Sequence, residues 1–123
     1  MKYNKILLVD DSATSRMIIK RCLIIAGYRD SEYYEVEDGL EALTFFEEEN
    51  TVDLIVTDLN MPRMDGNNLI KKLNVNNKTK KIPILIISSM GDEVFPQELK
   101  SMGVKGVIQK PISPAKIIEI LGA

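Results

Sequence analysis

A chain of 123 residues is long enough to form one domain with its own core, and we expect residues 1–123 to be a single domain with no output domain. The 16 basic and 18 acidic side chains give a net charge of −2, without the basic surface that nucleic-acid binding requires, and no apolar run approaches the ~18 residues of a membrane span. The chain contains no histidine, which excludes histidine general bases, histidine-activated nucleophiles and histidine-ligated zinc sites.

Short apolar segments alternate with amphipathic segments along the whole chain. In chain order the pattern predicts a strand at 5–10, a helix at 12–27, a strand at 32–37, a helix at 39–50, a strand at 53–58, a helix at 66–75, a strand at 82–88, a short helix around 94–101, a strand at 106–110 and a helix at 113–121. Asp11 or Ser12 is expected to cap the first helix, which Gly27 ends, and Ser113 with Pro114 opens the last one.

The first helix carries the single cysteine, Cys22, which cannot form an internal disulfide and is expected to fill a helix face. A free thiol fits a reducing compartment. The N-terminus turns acidic directly after a short apolar run and does not have the form of a signal peptide. We therefore expect a cytoplasmic protein.

The first, third and fourth strands are continuously apolar, which is typical of parallel strands covered on both faces. The second strand alternates polar and apolar residues, as an edge strand does. Five strands alternating with helices imply right-handed crossovers. The predicted fold is α/β, a doubly wound (βα)5 sandwich around a five-stranded parallel sheet.

Ligands of open α/β sheets bind beyond the carboxyl ends of the strands. The residues found there are Asp10 and Asp11 after strand one, Asp58 at strand three, Ser88 and Ser89 at strand four, and Lys110 and Pro111 at strand five. Three nearby carboxylates require a cation, and oxygen ligands without sulfur or imidazole suit Mg²⁺. Asp58 could then accept a phosphoryl group as a nucleophile, while Ser88 donates to a phosphoryl oxygen. A backbone carbonyl in the loop after Asp58 could complete the metal's ligands.

Four segments in order carry a family resemblance: "ILLVDDS", "DLIVTDLNMPRMDG", "PILIISS" and "GVIQKPI". The chain resembles the bacterial response-regulator receiver domain of two-component systems, in particular its stand-alone chemotaxis (CheY-like) type, over nearly its whole length. The resemblance implies the flavodoxin-like strand order 2-1-3-4-5. It also implies signal transduction by a phosphoprotein, with chemotaxis and other phosphorelays both open as the pathway.

The resemblance further implies a role for each residue of the site. These are Asp58 as phosphoacceptor, Asp11 as direct Mg²⁺ ligand, Asp10 as ligand through water, the Asn60 backbone carbonyl as third protein ligand, Ser88 as switch hydroxyl, Lys110 as phosphate partner, and a cis Lys110–Pro111 bond. A histidine kinase or phosphotransfer protein would supply the phosphoryl group. A downstream protein would bind the face formed by helix four, strand five and helix five, and the chain would be a monomer or weak dimer.

Two positions bear on the switch and on the lifetime of the phosphoryl group. Val107 stands where the family often has Tyr or Phe, and an aliphatic side chain cannot report the same rotamer change. Met90 follows two residues after Ser88 and cannot orient water, so we expect slow self-hydrolysis that Met90→Glu should alter.

Other interpretations of these residues stay open. The paired acids could simply cap the first helix, and Asp58 could cap a turn before Pro62. A Mg²⁺-dependent phosphohydrolase would also use Asp58 as nucleophile, but it needs an acid where the chain has Asn60. A flavin-binding module would place phosphate beside Asp10 and Asp11, which repel it. The leading hypothesis is a phosphorylation-operated binding module whose intrinsic chemistry is self-phosphorylation from a donor and slow dephosphorylation.

Overall fold

The structure, a computed structural model, describes residues 3–89 and 101–122. Its strands are β1 (Lys5–Val9), β2 (Glu32–Val36), β3 (Leu54–Asp58), β4 (Ile84–Ser88) and β5 (Val104–Gln109). They pair in parallel as one sheet with the order β2-β1-β3-β4-β5. The predicted doubly wound parallel sheet and its flavodoxin-like order are confirmed.

The helices flank this sheet, and each begins at a polar cap. They are α1 (Ala13–Leu23), α2 (Gly39–Glu47), α3 (Gly66–Asn74) and the C-terminal helix (Pro114–Leu121). Of the two candidate caps for α1, Ser12 is the cap, because its hydroxyl accepts from the Ser15 N–H at 3.1 Å. Ser113 caps the C-terminal helix, as predicted. The predicted fourth helix, 94–101, lies outside the described residues except at its last position.

The first helix ends earlier than predicted. The α-helix stops at Leu23 and passes into a π-helical segment, Ile24–Tyr28. Within this segment Gly27 has φ of 119°, a conformation that side chains rarely adopt, so the glycine does end the helical path. Strand β5 also differs, because it begins at Val104 rather than at Gly106. The pairing of β4 with β5 is irregular near the start of both strands. Ile84 pairs with Val104 and the next residue, Leu85, pairs with Gly106, so the register passes over Lys105.

The sheet separates two apolar layers, because neighbouring residues of a strand point to opposite faces. Ile6 and Leu8 of β1 belong to the layer that includes α1 and the C-terminal helix. Leu7 and Val9 belong to the layer that includes α2 and α3. The residues of β3 and β4 are all buried, whereas β2 at the edge is partly exposed. No helix in the described ranges has the length and apolarity that a membrane crossing needs.

Candidate functional site

The sheet brings three carboxylates together at the carboxyl ends of its strands. Asp10 follows β1 and Asp58 ends β3, and the two strands pair in register up to Val9 and Thr57. One ligand oxygen from each of Asp10, Asp11 and Asp58 lies within 4.8 Å of the other two. Asp10 and Asp58 are buried, and Asp11 is exposed. Three acids at this separation form an oxygen-only cluster open to solvent on one side.

The Asp58 carboxylate is buried beside one cation and one anion. The residue is only 4% exposed, its Oδ2 lies 3.4 Å from Lys110 Nζ, and its Oδ1 accepts from the Asn60 N–H at 3.3 Å. Burial raises the pKa of Asp58, the Lys110 ammonium opposes that rise, and the neighbouring Asp10 carboxylate adds to it. The net effect is a raised pKa, so an added positive charge would favour the ionised side chain.

Lys110 joins the ends of three strands. Its ammonium lies 3.4 Å from Asp58 Oδ2 and 3.6 Å from Asp10 Oδ2, and its backbone N–H donates to the Ser88 carbonyl at 2.7 Å. The Lys110–Pro111 peptide bond is cis, as expected. Lys116 of the C-terminal helix donates to the Pro111 carbonyl at 2.9 Å and so holds this turn from outside. The cation is therefore fixed between two of the carboxylates.

Asp10 is held by donors from the first turn of α1. Its Oδ1 accepts from the Ser12 N–H at 2.9 Å, and its Oδ2 accepts from the Ser15 hydroxyl at 2.6 Å. Arg16 donates to the Asp10 backbone carbonyl and pairs with Glu35 of β2 at 2.9 Å. The sequence pattern had not pointed to Ser15 or Arg16 as residues of the site. A sequence shows that side chains in the first turn of a helix point back toward the preceding strand end. It does not show which residue of that strand end each of them contacts.

The remaining predicted site residues lie at the same edge or beyond the described residues. Ser88 is buried at the end of β4, one position past Ile87, which pairs with Asp58. Asn60 is exposed two residues after β3, and its backbone N–H points to Asp58. Val107 of β5 is 40% exposed, and Met90 lies outside the described residues.

A glycine lets helix α3 begin directly behind Asp58. The Gly66 N–H donates to the Leu59 carbonyl at 2.9 Å. A Cβ on Gly66 would lie 2.5 Å from the Asp58 carbonyl oxygen and 2.9 Å from the Leu59 Cα. Both are backbone atoms that cannot move aside. Because of this close approach, α3 begins after a loop of only seven residues, 59–65, and the Asp58 side chain stays at the carboxyl end of β3.

The loop after β3 is tied to the start of α2. Asp38 caps α2 through the Glu41 N–H at 2.9 Å, and Arg63 of the loop donates Nε to the same carboxylate at 2.7 Å. Burial by itself would raise the pKa of Asp38, but the hydrogen bonds from Glu41 and Arg63 outweigh it and leave that pKa lowered. Arg63 has φ of 63°, and the Gly39 N–H donates to the Met64 carbonyl at 3.3 Å. Asp38 stands directly before α2, where Asp is a favoured helix cap, but the sequence pattern was not interpreted that way and does not indicate the distant partner Arg63.

Comparison with known proteins decides the family. A family model described as the response regulator receiver domain matches residues 6–122. The chain belongs to this family. Chemotaxis protein CheY1 of Helicobacter pylori is 38% identical to this receiver domain over 117 residues, which cover 95% of this chain and 93% of the relative. Chemotaxis protein CheY-3 of Vibrio cholerae is 37% identical over 120 residues, covering 98% of this chain and 90% of the relative.

Solved structures agree with these relatives. The chemotaxis response regulator CheY4 of Vibrio cholerae superposes with a TM-score of 0.75 at 31% identity, over 95% of this chain and 94% of that one. The protein is a receiver domain of the CheY-like response regulators, which are generally not classical enzymes. Receiver domains typically bind Mg²⁺ at the acidic pocket, and the oxygen-only donor set of Asp10, Asp11 and Asp58 fits that ion.

Proposed function

We propose that this receiver domain takes a phosphoryl group from a histidine kinase or phosphotransfer protein onto Asp58 and thereby changes its affinity for a downstream protein. One observation carries the proposal: the Asp58 carboxylate shares a rim with two acids, while Lys110 Nζ lies 3.4 Å from its Oδ2. The Asp58 carboxylate, which would be the nucleophile, therefore lies beside the Lys110 ammonium. The lack of histidine in the chain agrees with a donor on another protein.

Asp11, Asp58 and the backbone carbonyl of Asn60 would hold the metal directly, and the Asp10 carboxylate would hold it through water. When bound, Mg²⁺ supplies positive charge that orients a phosphate and neutralises its oxygens. Without it the three carboxylates and Lys110 leave a net charge of about −2 at the rim. A phosphoryl group has about the same charge and would be repelled. The chain's own residues therefore make phosphorylation dependent on a divalent cation.

Phosphoryl transfer requires positioning and charge stabilisation more than proton transfer. An Asp58 carboxylate oxygen forms a bond to phosphorus while the bond from phosphorus to the donor nitrogen breaks. The bonding electron pair leaves with the donor nitrogen, and the product is an acyl phosphate on Asp58. Lys110 would pair with a phosphoryl oxygen, and the Ser88 hydroxyl would donate to another. No other covalent step is needed.

The output would be a population shift. Phosphoryl contacts to Ser88 and Lys110 favour one arrangement of the loops after β3 and β4, with couplings of about 1–3 kcal/mol being typical. Lys110 continues β5, and Lys116 ties its turn to the C-terminal helix. The proposed binding face consists of the predicted fourth helix, β5 and the C-terminal helix. The exposed Val107 lies on it, so the switch there works without an aromatic ring.

The test is incubation with acetyl phosphate and Mg²⁺ followed by intact mass measurement. We expect a gain of one phosphoryl group that chelation of Mg²⁺ prevents and that Asp58→Asn abolishes. A gain of equal size in Asp58→Asn contradicts the proposal. A cytoplasmic location, a monomeric or weakly dimeric state and the organisation of residues 1–123 as a single domain stay predictions.

A further inference from the structure

One hydroxyl outside the family's motif touches the acidic site. Ser15 Oγ donates to Asp10 Oδ2 at 2.6 Å, a separation typical of a strong hydroxyl–carboxylate hydrogen bond. Asp10 is 1% exposed, so water does not compete effectively for that oxygen. The bond therefore fixes the orientation of a buried carboxylate that belongs to the cluster with Asp11 and Asp58.

The backbone of α1 determines why Ser15 reaches Asp10. Ser12 caps the helix and its hydroxyl accepts from the Ser15 N–H at 3.1 Å, which places Ser15 at the third helical position. Side chains in a first helical turn point back toward the N-terminus. The Ser15 hydroxyl is thus directed at the end of β1, while the neighbouring Thr14 is exposed.

Ser15 shares its acceptor with a cation. Lys110 Nζ lies 3.6 Å from the same Asp10 Oδ2 and 3.4 Å from Asp58 Oδ2. If the hydroxyl is removed, the Lys110 ammonium is the one side-chain partner of Asp10 Oδ2 that remains among the described residues. A buried carboxylate that has lost a hydrogen bond is stabilised by moving toward a nearby ammonium. The Asp10 carboxylate would then turn away from Asp11, and Lys110 would move away from Asp58.

We propose that Ser15 is a positioning residue of the acidic site. Its hydroxyl holds the Asp10 carboxylate in the orientation that binds a divalent cation together with Asp11 and Asp58. It also keeps the Asp10 carboxylate from moving toward the Lys110 ammonium. The inference rests on the proposed function, since it concerns the same site. Residues that orient metal ligands typically change metal affinity by about 10–100-fold when they are removed.

The matched pair of variants is Ser15→Thr and Ser15→Val, which have the same shape and differ only in the hydroxyl. We expect Ser15→Val and Ser15→Ala to bind Mg²⁺ about tenfold more weakly than the wild type, and Ser15→Thr to bind within about twofold of it. Thr14→Ala, one position away, removes an exposed hydroxyl and should leave the affinity unchanged.

Affinity is measured on the unphosphorylated protein by calorimetry and by Mg²⁺-dependent shifts of amide NMR resonances. Thermal unfolding without Mg²⁺ gives the purely structural effect of each variant. With acetyl phosphate, Ser15→Val should require about tenfold more Mg²⁺ for half-maximal phosphorylation and reach the wild-type rate at saturation. A structural role would instead lower stability and leave the Mg²⁺ dependence unchanged.

The outcomes distinguish a failure of the inference about Ser15 from a failure of the proposed function. Equal Mg²⁺ affinity in the wild type, Ser15→Val and Ser15→Ala overturns the inference alone, provided that Asp11→Asn lowers the affinity. Equal losses in Ser15→Thr and Ser15→Val overturn it as well, because the hydroxyl is then not the cause. A wild type that binds no Mg²⁺ overturns both the inference and the metal site of the proposed function.

Discussion

Lys110 Nζ lies 3.4 Å from Asp58 Oδ2, although the two residues are 52 positions apart in the chain. The contact joins the end of β5 to the end of β3 across β4. The ammonium opposes the rise in the pKa of Asp58 that burial causes. It is therefore the protein's own source of positive charge at the nucleophile.

Replacing this cation should slow phosphorylation. In Lys110→Met the pKa of Asp58 should rise further, and a phosphoryl group should lose its charged partner. We expect the rate of phosphorylation by acetyl phosphate to fall by at least about tenfold. Lys105→Met is the control, because Lys105 is exposed on the same strand. Equal rates for Lys110→Met and the wild type would show that the ammonium has no part in the transfer.

Neutralising Asp58 should stabilise the fold when Mg²⁺ is absent. The folded state raises the pKa of Asp58 above its unfolded value, so the ionised carboxylate destabilises the fold at every pH above the folded pKa. At pH 7 we expect Asp58→Asn to increase the free energy of unfolding by on the order of 1 kcal/mol. The gain should shrink as the pH falls through the raised folded pKa, because the wild-type carboxyl then takes up its proton.

Urea unfolding at several pH values in EDTA measures this gain. Asp30→Asn, at an exposed position, serves as the control and should change little. A destabilised Asp58→Asn at pH 7 would mean that the pairing with Lys110 outweighs burial and the repulsion from Asp10.

The ion pair between Asp38 and Arg63 should contribute stability that acid removes. The pKa of Asp38 is lowered in the folded state, so its contribution is present above the unfolded pKa of about 3.9 and is lost as the pH falls through the folded value. Asp38→Asn keeps a good helix cap but loses the charge. Because the Arg63 side chain is 56% exposed, we expect a loss of only about 1 kcal/mol at pH 7.

The difference between Asp38→Asn and the wild type should shrink when urea unfolding is compared at pH 7 and at pH 2, because the pH falls toward the lowered folded pKa. Glu41→Gln is the control, since Glu41 is more exposed and lies 3.5 Å from the same guanidinium. A difference that persists unchanged at pH 2 would assign the effect to capping rather than to charge.

Adding a methyl group at Gly66 should disturb Asp58 directly. A Cβ there would lie 2.5 Å from the Asp58 carbonyl oxygen, so α3 or the end of β3 must shift. We expect Gly66→Ala to lose about 1–3 kcal/mol of unfolding free energy and to be phosphorylated more slowly. In Gly106→Ala the new Cβ would lie 2.9 Å from side-chain atoms of Ile120, which can rotate, so its loss should be smaller. A larger loss in Gly106→Ala would contradict this assignment.

The sheet and the acid cluster were predictable because both follow from local patterns. Continuous apolar strands and the residue that ends each strand can be read without knowing any distant contact. Asp10, Asp58 and Lys110 were predicted at one rim, and the structure places them there. Their roles in phosphoryl transfer stay proposals.

Contacts between separate elements could not be predicted in the same way. The bond between Ser15 and Asp10 depends on how α1 meets β1, and the pair of Asp38 with Arg63 depends on two loops that approach in space. The early end of α1 at Leu23 reflects a π-helical segment that composition does not signal. Such features arise from tertiary packing, which overrides local propensity.

The most direct test of the central claim is to locate the phosphoryl group. The protein is incubated with acetyl phosphate and Mg²⁺ and treated with borohydride, which reduces an acyl phosphate to the alcohol, and its peptides are sequenced by mass spectrometry. We predict homoserine at position 58 and unmodified aspartate at Asp10 and Asp11. Modification at another residue, or none at position 58 in a protein that has gained a phosphoryl group, would contradict the assignment of Asp58 as the phosphoacceptor.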